Sequence, residues 1–194
     1  MNVEWLTEQM EGKAAPEPLL AVQAFANTLD VEDEIDLLDS VADAKVWLRQ
    51  SGLGTSSLWV TAALLKAAKQ LRTLIRRLLA ANERGDTDQK AAEALGRLAS
   101  EHRIPLRASS DGRLEVDDTP ANMPNELLAQ LLGIVFQAQA TGEWDRLKLC
   151  ANPDCAWAFY DNSRNRSGSW CRMGLCGNRI KNRTYRERQR QGAG

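Results

Sequence analysis

Cys150-Ala151-Asn152-Pro153-Asp154-Cys155, then fifteen residues, then Cys171-Arg172-Met173-Gly174-Leu175-Cys176: this stretch holds every cysteine of a 194-residue chain. Two close pairs of thiolates can wrap tetrahedrally around one Zn²⁺, each pair being a chelate whose short loop limits the entropy lost on closure. A four-residue gap is looser than the commonest two-residue knuckle, yet two such pairs in one window are a strong signal. Disulfide frameworks are instead spread across a fold to staple it, and redox pairs have two-residue spacing. An iron–sulfur cluster also takes four thiolates and stays open as an alternative. Cys150, Cys155, Cys171 and Cys176 are thus the expected ligands of one structural Zn²⁺. Four protein ligands leave no position for water, so a hydrolytic role is not expected of the metal.

The surroundings agree with a metal-built module. From Arg146 onward the chain has few large apolar residues, of which Leu149, Trp157, Phe159, Tyr160, Trp170, Leu175 and Ile180 are expected to make a mini-core. Such a mini-core needs the roughly 10–16 kcal/mol of apparent binding energy that structural zinc supplies in comparable small domains. Ala156 to Tyr160 is strand-favouring and Asp161 to Ser169 polar, a pattern that predicts a hairpin between the cysteine pairs with Arg164 and Arg166 at its tip. From Asn178 a helix is expected, on which Arg179, Arg183, Arg186 and Arg190 share a face about 60° wide, while Lys181 and Arg188 point away. Like charges four apart destabilise an isolated helix, so the stripe makes best sense against a polyanion. Arg164, Arg166, Arg179, Lys181, Arg183, Arg186 and Arg190 are therefore the expected nucleic-acid contacts, with DNA the first partner.

Charge divides the chain. Residues 1–145 carry 14 Lys+Arg against 23 Asp+Glu, whereas residues 146–194 carry 11 against 3. The boundary is placed so that 1–143 form an acidic helical domain and 144–194 the zinc module. Upstream, three- and four-residue spacing predicts helices from Leu19 to near Asp30, across Val41, Ala44, Trp47 and Leu48 up to Gly52, and from about Ser57 to Glu83. Others are expected at about Asp88 to Glu101 and Pro120 to Thr141, the last with Leu127, Leu128, Leu131, Leu132, Val135 and Phe136 apolar. Ser109-Ser110-Asp111-Gly112 between short extended runs predicts a small β-hairpin. The acids from Asp30 to Asp43 are expected to form a solvated face, and Arg72 and Arg76 to flank the apolar stripe of the longest helix. The fold class is mainly α, or α+β with a small hairpin.

The module resembles the CGNR zinc-finger family, whose N-terminal part is the ABATE domain. The likeness rests on Cys150-Ala151-Asn152-Pro153-Asp154-Cys155, on Phe159-Tyr160-Asp161-Asn162-Ser163-Arg164-Asn165-Arg166-Ser167, on Trp170-Cys171, and on Cys176-Gly177-Asn178-Arg179 followed by Lys181. It implies a treble-clef-like finger, with the first pair on a knuckle and the second where a hairpin joins a helix, in a bacterial, stress-induced transcription regulator. Upstream, Asn27-Thr28 is similar to the family's Asn-Thr signature, Trp47-Leu48 with Gly52-Leu53 to its Trp-Leu…Gly-Leu segment, and Leu71-Arg72 to its Leu-Arg helix start. Ala24 stands where Asp is common, an acidic run where an Arg follows, and Ser169 where a basic residue is frequent. Asn27 and Thr28 become candidate ligand-binding residues by this resemblance, and are equally explained as a helix-terminating pair.

Several classes fall away. The single histidine, His102, and the lack of a nucleophile motif argue against an enzyme, so no catalytic residue is assigned. No apolar run approaches 18 residues and no charged-then-apolar leader is present, which predicts a cytoplasmic protein without a membrane partner. The leading expectation is a DNA-binding regulator whose helical domain dimerises, recruits a protein or senses a small molecule. The alternative is a zinc-stabilised protein-interaction or RNA-binding adaptor, with the acidic domain able to cover the basic module.

Overall fold

The computed structural model describes residues 13–51, 53, 60–117 and 124–183. Its first helix, α1 (Leu19–Ala26), is buried on every side. A helix apolar all round must be enclosed, and α1 lies against the long helix α3 (Ala62–Arg84), against α5 (Pro124–Thr141) and against strand β6 (Ala158–Tyr160). It stops at Ala26, short of the expected Asp30. The chain then forms a two-residue antiparallel ladder, β1 (Leu29–Asp30) with β2 (Ile35–Asp36), and enters α2 (Val41–Ser51). The expected stop of α2 at Gly52 lies outside the described residues, as do Ser57 and Pro120.

α3 starts where Thr61 Oγ1 accepts the Leu64 N–H at 3.1 Å, and ends at Gly85, whose φ of 65° only glycine adopts without strain. Leu64, Ala68, Leu71, Ile75, Leu78 and Leu79 form its buried stripe. Each fully buried Leu or Ile stabilises the fold by about 1.5–3 kcal/mol. Asp88 caps α4 (Gln89–Ser100) through the Ala91 N–H and ties back to Arg77, closing the α3–α4 turn. The predicted hairpin is present as β3 (Leu106–Ala108) with β4 (Leu114–Val116). A Cβ on Gly133 of α5 would stand 2.6 Å from Val116 Cγ1, so glycine there lets β4 lie against α5. Phe136, expected among the apolar positions of α5, faces outward at 58% exposure, because the buried side of that helix is already filled by Leu128, Leu131, Leu132 and Val135.

A 3-10 turn (Trp144–Arg146) leads into β5 (Leu147–Leu149), antiparallel to β6. This corrects the expected hairpin. β6 pairs backward with β5, and the loop between the two strands is the first cysteine knuckle. Residues 161–169 fold on themselves instead, because Asp161 accepts the Ser163 and Gly168 N–H groups at 3.0 and 2.8 Å. Lys148 Nζ completes that loop, donating to Asp161 Oδ2 at 2.9 Å and to the Arg166 and Gly168 carbonyls. Leu147, Ala158 and Tyr160 belong to the same apolar core as α1, α3 and α5. The helical and cysteine-bearing segments are thus packed across the position where the charge reverses.

Candidate metal centre and nucleic-acid interface

The knuckle is built by backbone bonds. Cys150 N–H donates to Trp157 O at 2.8 Å, and the buried Asn152 carbonyl accepts the Cys155 and Ala156 N–H groups, turning Cys155 back toward Cys150. Ala156 is held in the left-handed region at φ 49°. That conformation costs a non-glycine residue about 1–2 kcal/mol, and the Ala156 carbonyl is fixed by Arg76 Nη2 at 2.9 Å. Of the second pair, Cys171 precedes a π-turn (Met173–Gly177) and Cys176 lies on it, where Arg172 O accepts the Cys176 N–H at 3.0 Å. A helical segment, residues 178–183, follows directly.

The four sulfurs are buried and lie within 4.8 Å of one another. Cys155 to Cys171 and Cys171 to Cys176 are each 3.6 Å apart. A disulfide needs about 2.05 Å. Zinc–sulfur bonds of about 2.3 Å set tetrahedral edges of ~3.8 Å, so the donors fit a zinc ion and not a bridge. Their mutual crowding points the same way. Hydrogen bonds from Cys155 and Cys171 lower the Cys150 thiol to about 2, while the bond to Cys150 pushes Cys155 up to about 12, and Cys171 is raised by both neighbours. Such sulfurs cannot ionise together unless a cation shares their negative charge. Phe159, with Trp157 and Trp170 beside it, closes the apolar side of the cluster. These residues hold one structural zinc ion.

Polar side chains of the helical body seat the knuckle. Asn27 treats Ala158 as a strand neighbour would: Nδ2 donates to its carbonyl at 2.9 Å and Oδ1 accepts its N–H at 2.7 Å. Gln23 adds Nε2 bonds to the Ala158 and Lys13 carbonyls. Lys13 in turn stands 4.6 Å over the Phe159 ring. Arg76 is 8% exposed and binds the Ala26, Leu29 and Ala156 carbonyls, joining α1, β1 and the knuckle. Its pKa is lowered by burial, then by the like charge of Arg72.

Thr28 is also buried. It donates to Phe25 O at 2.8 Å and accepts from Arg72 Nη1 at 2.9 Å. Both residues of the Asn-Thr pair therefore spend their polar atoms on the protein itself. Arg72 forks onto Asp36 at 2.6 and 2.9 Å. Burial pushes the Asp36 carboxyl up, but hydrogen bonds from Arg72 and the Leu38 N–H, with the charges of Arg72 and Lys69, bring it down to about 2. So Asp36 is no part of a solvated face, and Arg72 and Arg76 are not surface flanks of α3. The sequence reading missed them. The available signal was their four-residue spacing directly beside the fully buried Leu71 and Ile75.

The expected nucleic-acid residues are gathered less fully. Arg179, Lys181 and Arg183 are exposed on the segment leaving Cys176. Arg179 pairs with Glu32 of the β1–β2 turn, which raises its pKa, and Arg183 with Asp154 of the knuckle at 3.5 Å. Arg164 and Arg166 lie exposed on the 161–169 loop, Arg166 at 3.6 Å from Asp145. Arg186 and Arg190 are outside the described residues.

Two family models match. The first, ABATE, described as "Putative stress-induced transcription regulator", covers residues 20–141. The chain belongs to the ABATE family. The CGNR zinc finger covers residues 146–189 and contains all four cysteines, so the ABATE region is the helical body and the CGNR finger is the module that its Asn27, Gln23 and Arg76 hold. Comparison with curated proteins gives no match. Among the described residues no helix is long and apolar enough to cross a membrane.

Proposed function

We propose that this ABATE protein is a bacterial, cytoplasmic transcription regulator that binds duplex DNA through the basic segment beginning at Arg179. One observation carries the reading: Arg179, Lys181 and Arg183 leave directly from Cys176, so the zinc site fixes where the cations start. Guanidinium groups on a metal-pinned helix can fork onto phosphates or guanine edges. In this reading the protein is a binder and not an enzyme, since four sulfurs leave the metal no open position. The test is selection of bound sequences from random duplexes by the zinc-loaded full chain at physiological salt, with Arg179→Ala and Arg183→Ala as controls. About six phosphate contacts predict a log–log salt slope near −5. An empty selection, or a salt-insensitive complex, would contradict DNA binding.

The contact between Glu32 and Arg179 favours a second reading, in which the acidic body covers the finger until released. Glu32→Ala in the full chain then raises duplex affinity. If neither form binds duplex, the finger serves as an adaptor for RNA or an acidic protein surface.

A further inference from the structure

A groove of about 760 Å³ runs between α3 and α4, away from the asparagine–threonine pair and the finger. It is made by two facing stripes. On α3 these are Ala62, Leu65, Lys66, Lys69, Gln70, Thr73 and Leu74, turned away from the core stripe of the same helix, and on α4 the lining runs from Ala94 to Glu101. Arg77 and Asp88 tie the two helices together at the loop end. Its floor is apolar: Leu65, Leu74 and Leu98 are only half-buried, and of the whole of α4 only Ala91 is fully buried. Its volume lies within the range of small-molecule clefts.

The rim decides the ligand's charge. Lys69 is already paired with Asp36 and Asp39, at 3.4 Å each. Lys66 and Arg97 are exposed and have no acidic partner among the described residues, against one acid, Glu101. The lining therefore offers an apolar trough some 18 Å long at the ~1.5 Å rise of α3, with two unneutralised cations beside it. We infer that this groove binds a medium-chain fatty carboxylate, its chain along Leu65, Leu74 and Leu98 and its carboxylate at Lys66 and Arg97. The site also shares Lys69 with the contact between Asp36 and Arg72, so an occupant adjoins the residues that hold α3 to β2.

The probe is decanoate, titrated into the zinc-loaded full chain against bound anilinonaphthalene sulfonate fluorescence, with decanol as the uncharged control. Saturable displacement at one site per chain is expected. The double variant Lys66→Glu with Arg97→Glu, altered only at exposed positions, should weaken decanoate by about tenfold or more and leave decanol unchanged. The inference is overturned if decanol displaces as well as decanoate, or if the double variant binds decanoate normally. It is also overturned if sedimentation shows a dimer that Leu98→Arg dissociates, since the groove would then belong to a second copy. None of these outcomes depends on what the finger binds.

Discussion

The helical body and the finger solve the same problem by different means. The body encloses α1 within α3 and α5 and fills its interior with Leu20, Phe25, Leu71, Ile75, Leu79, Leu128 and Leu131. Among the finger's described residues, Phe159 is the fully buried large side chain packed beside the sulfurs, and the centre is four cysteines. Apolar burial therefore stabilises one region whatever the metal does, while the other needs an ion to hold its sulfurs together. Between them lies a seam of side chains that read backbone: Asn27 and Gln23 on Ala158, and Arg76 on Ala156. Loss of metal should thus be felt at the seam, and loss of the seam should loosen the metal.

The largest effect is expected from Cys155→Ser. Zinc ligation in small domains is worth roughly 10–16 kcal/mol of apparent folding energy, so amide exchange across the 150–157 knuckle and residues 171–183 should lose protection, while α3, α5 and the β5–β6 ladder that shares their core keep theirs. Uniform loss through α3 would break the contrast between the two regions. Arg76→Met and Asn27→Leu come next, each leaving carbonyl or N–H groups of the seam without a partner. Unpaired buried groups cost about 1–3 kcal/mol each. Both variants should melt earlier and release zinc to a chelator faster than the parent, and normal release would mean that the seam does not support the knuckle.

Asp36 sharpens the body's side of the comparison. Its folded carboxyl, at about 2, lies below the ordinary 3.8. The stabilisation it gives is therefore complete above pH ~4 and is lost as pH falls toward ~2. Asp36→Asn should destabilise by about 2–4 kcal/mol at neutral pH, as expected for a partner removed from the nearly buried Arg72. Denaturant titrations should also show a weaker dependence on pH between about 4 and 2. Smallest is Glu32→Ala: an exposed ion pair contributes about 0–1 kcal/mol, so the melting temperature should barely move even where duplex affinity rises.

Much of this was legible in the sequence because the signals are local. Two cysteine pairs define a chelate, and Ser109 to Gly112 turns the β3–β4 hairpin. What could not be read depended on partners distant in sequence. β6 could pair forward or backward, and the choice fell to Lys148 and Asp161, which fold residues 161–169 into a loop of their own. Arg72 and Arg76 look like surface cations on a helical wheel, but their acceptors lie 36 to 80 positions away. Asn27 shows a terminating residue's chemistry in the sequence and a strand-like pairing only once Ala158 lies beside it.

Counting thiols and metal together tests the zinc-built finger most directly. Native mass spectrometry of the purified full chain should find one zinc per molecule, with four cysteines that become reactive to a thiol reagent only when a chelator takes the metal. A chain without zinc whose cysteines are unreactive because they are joined in two disulfides, or whose knuckle amides stay protected after chelation, would contradict it.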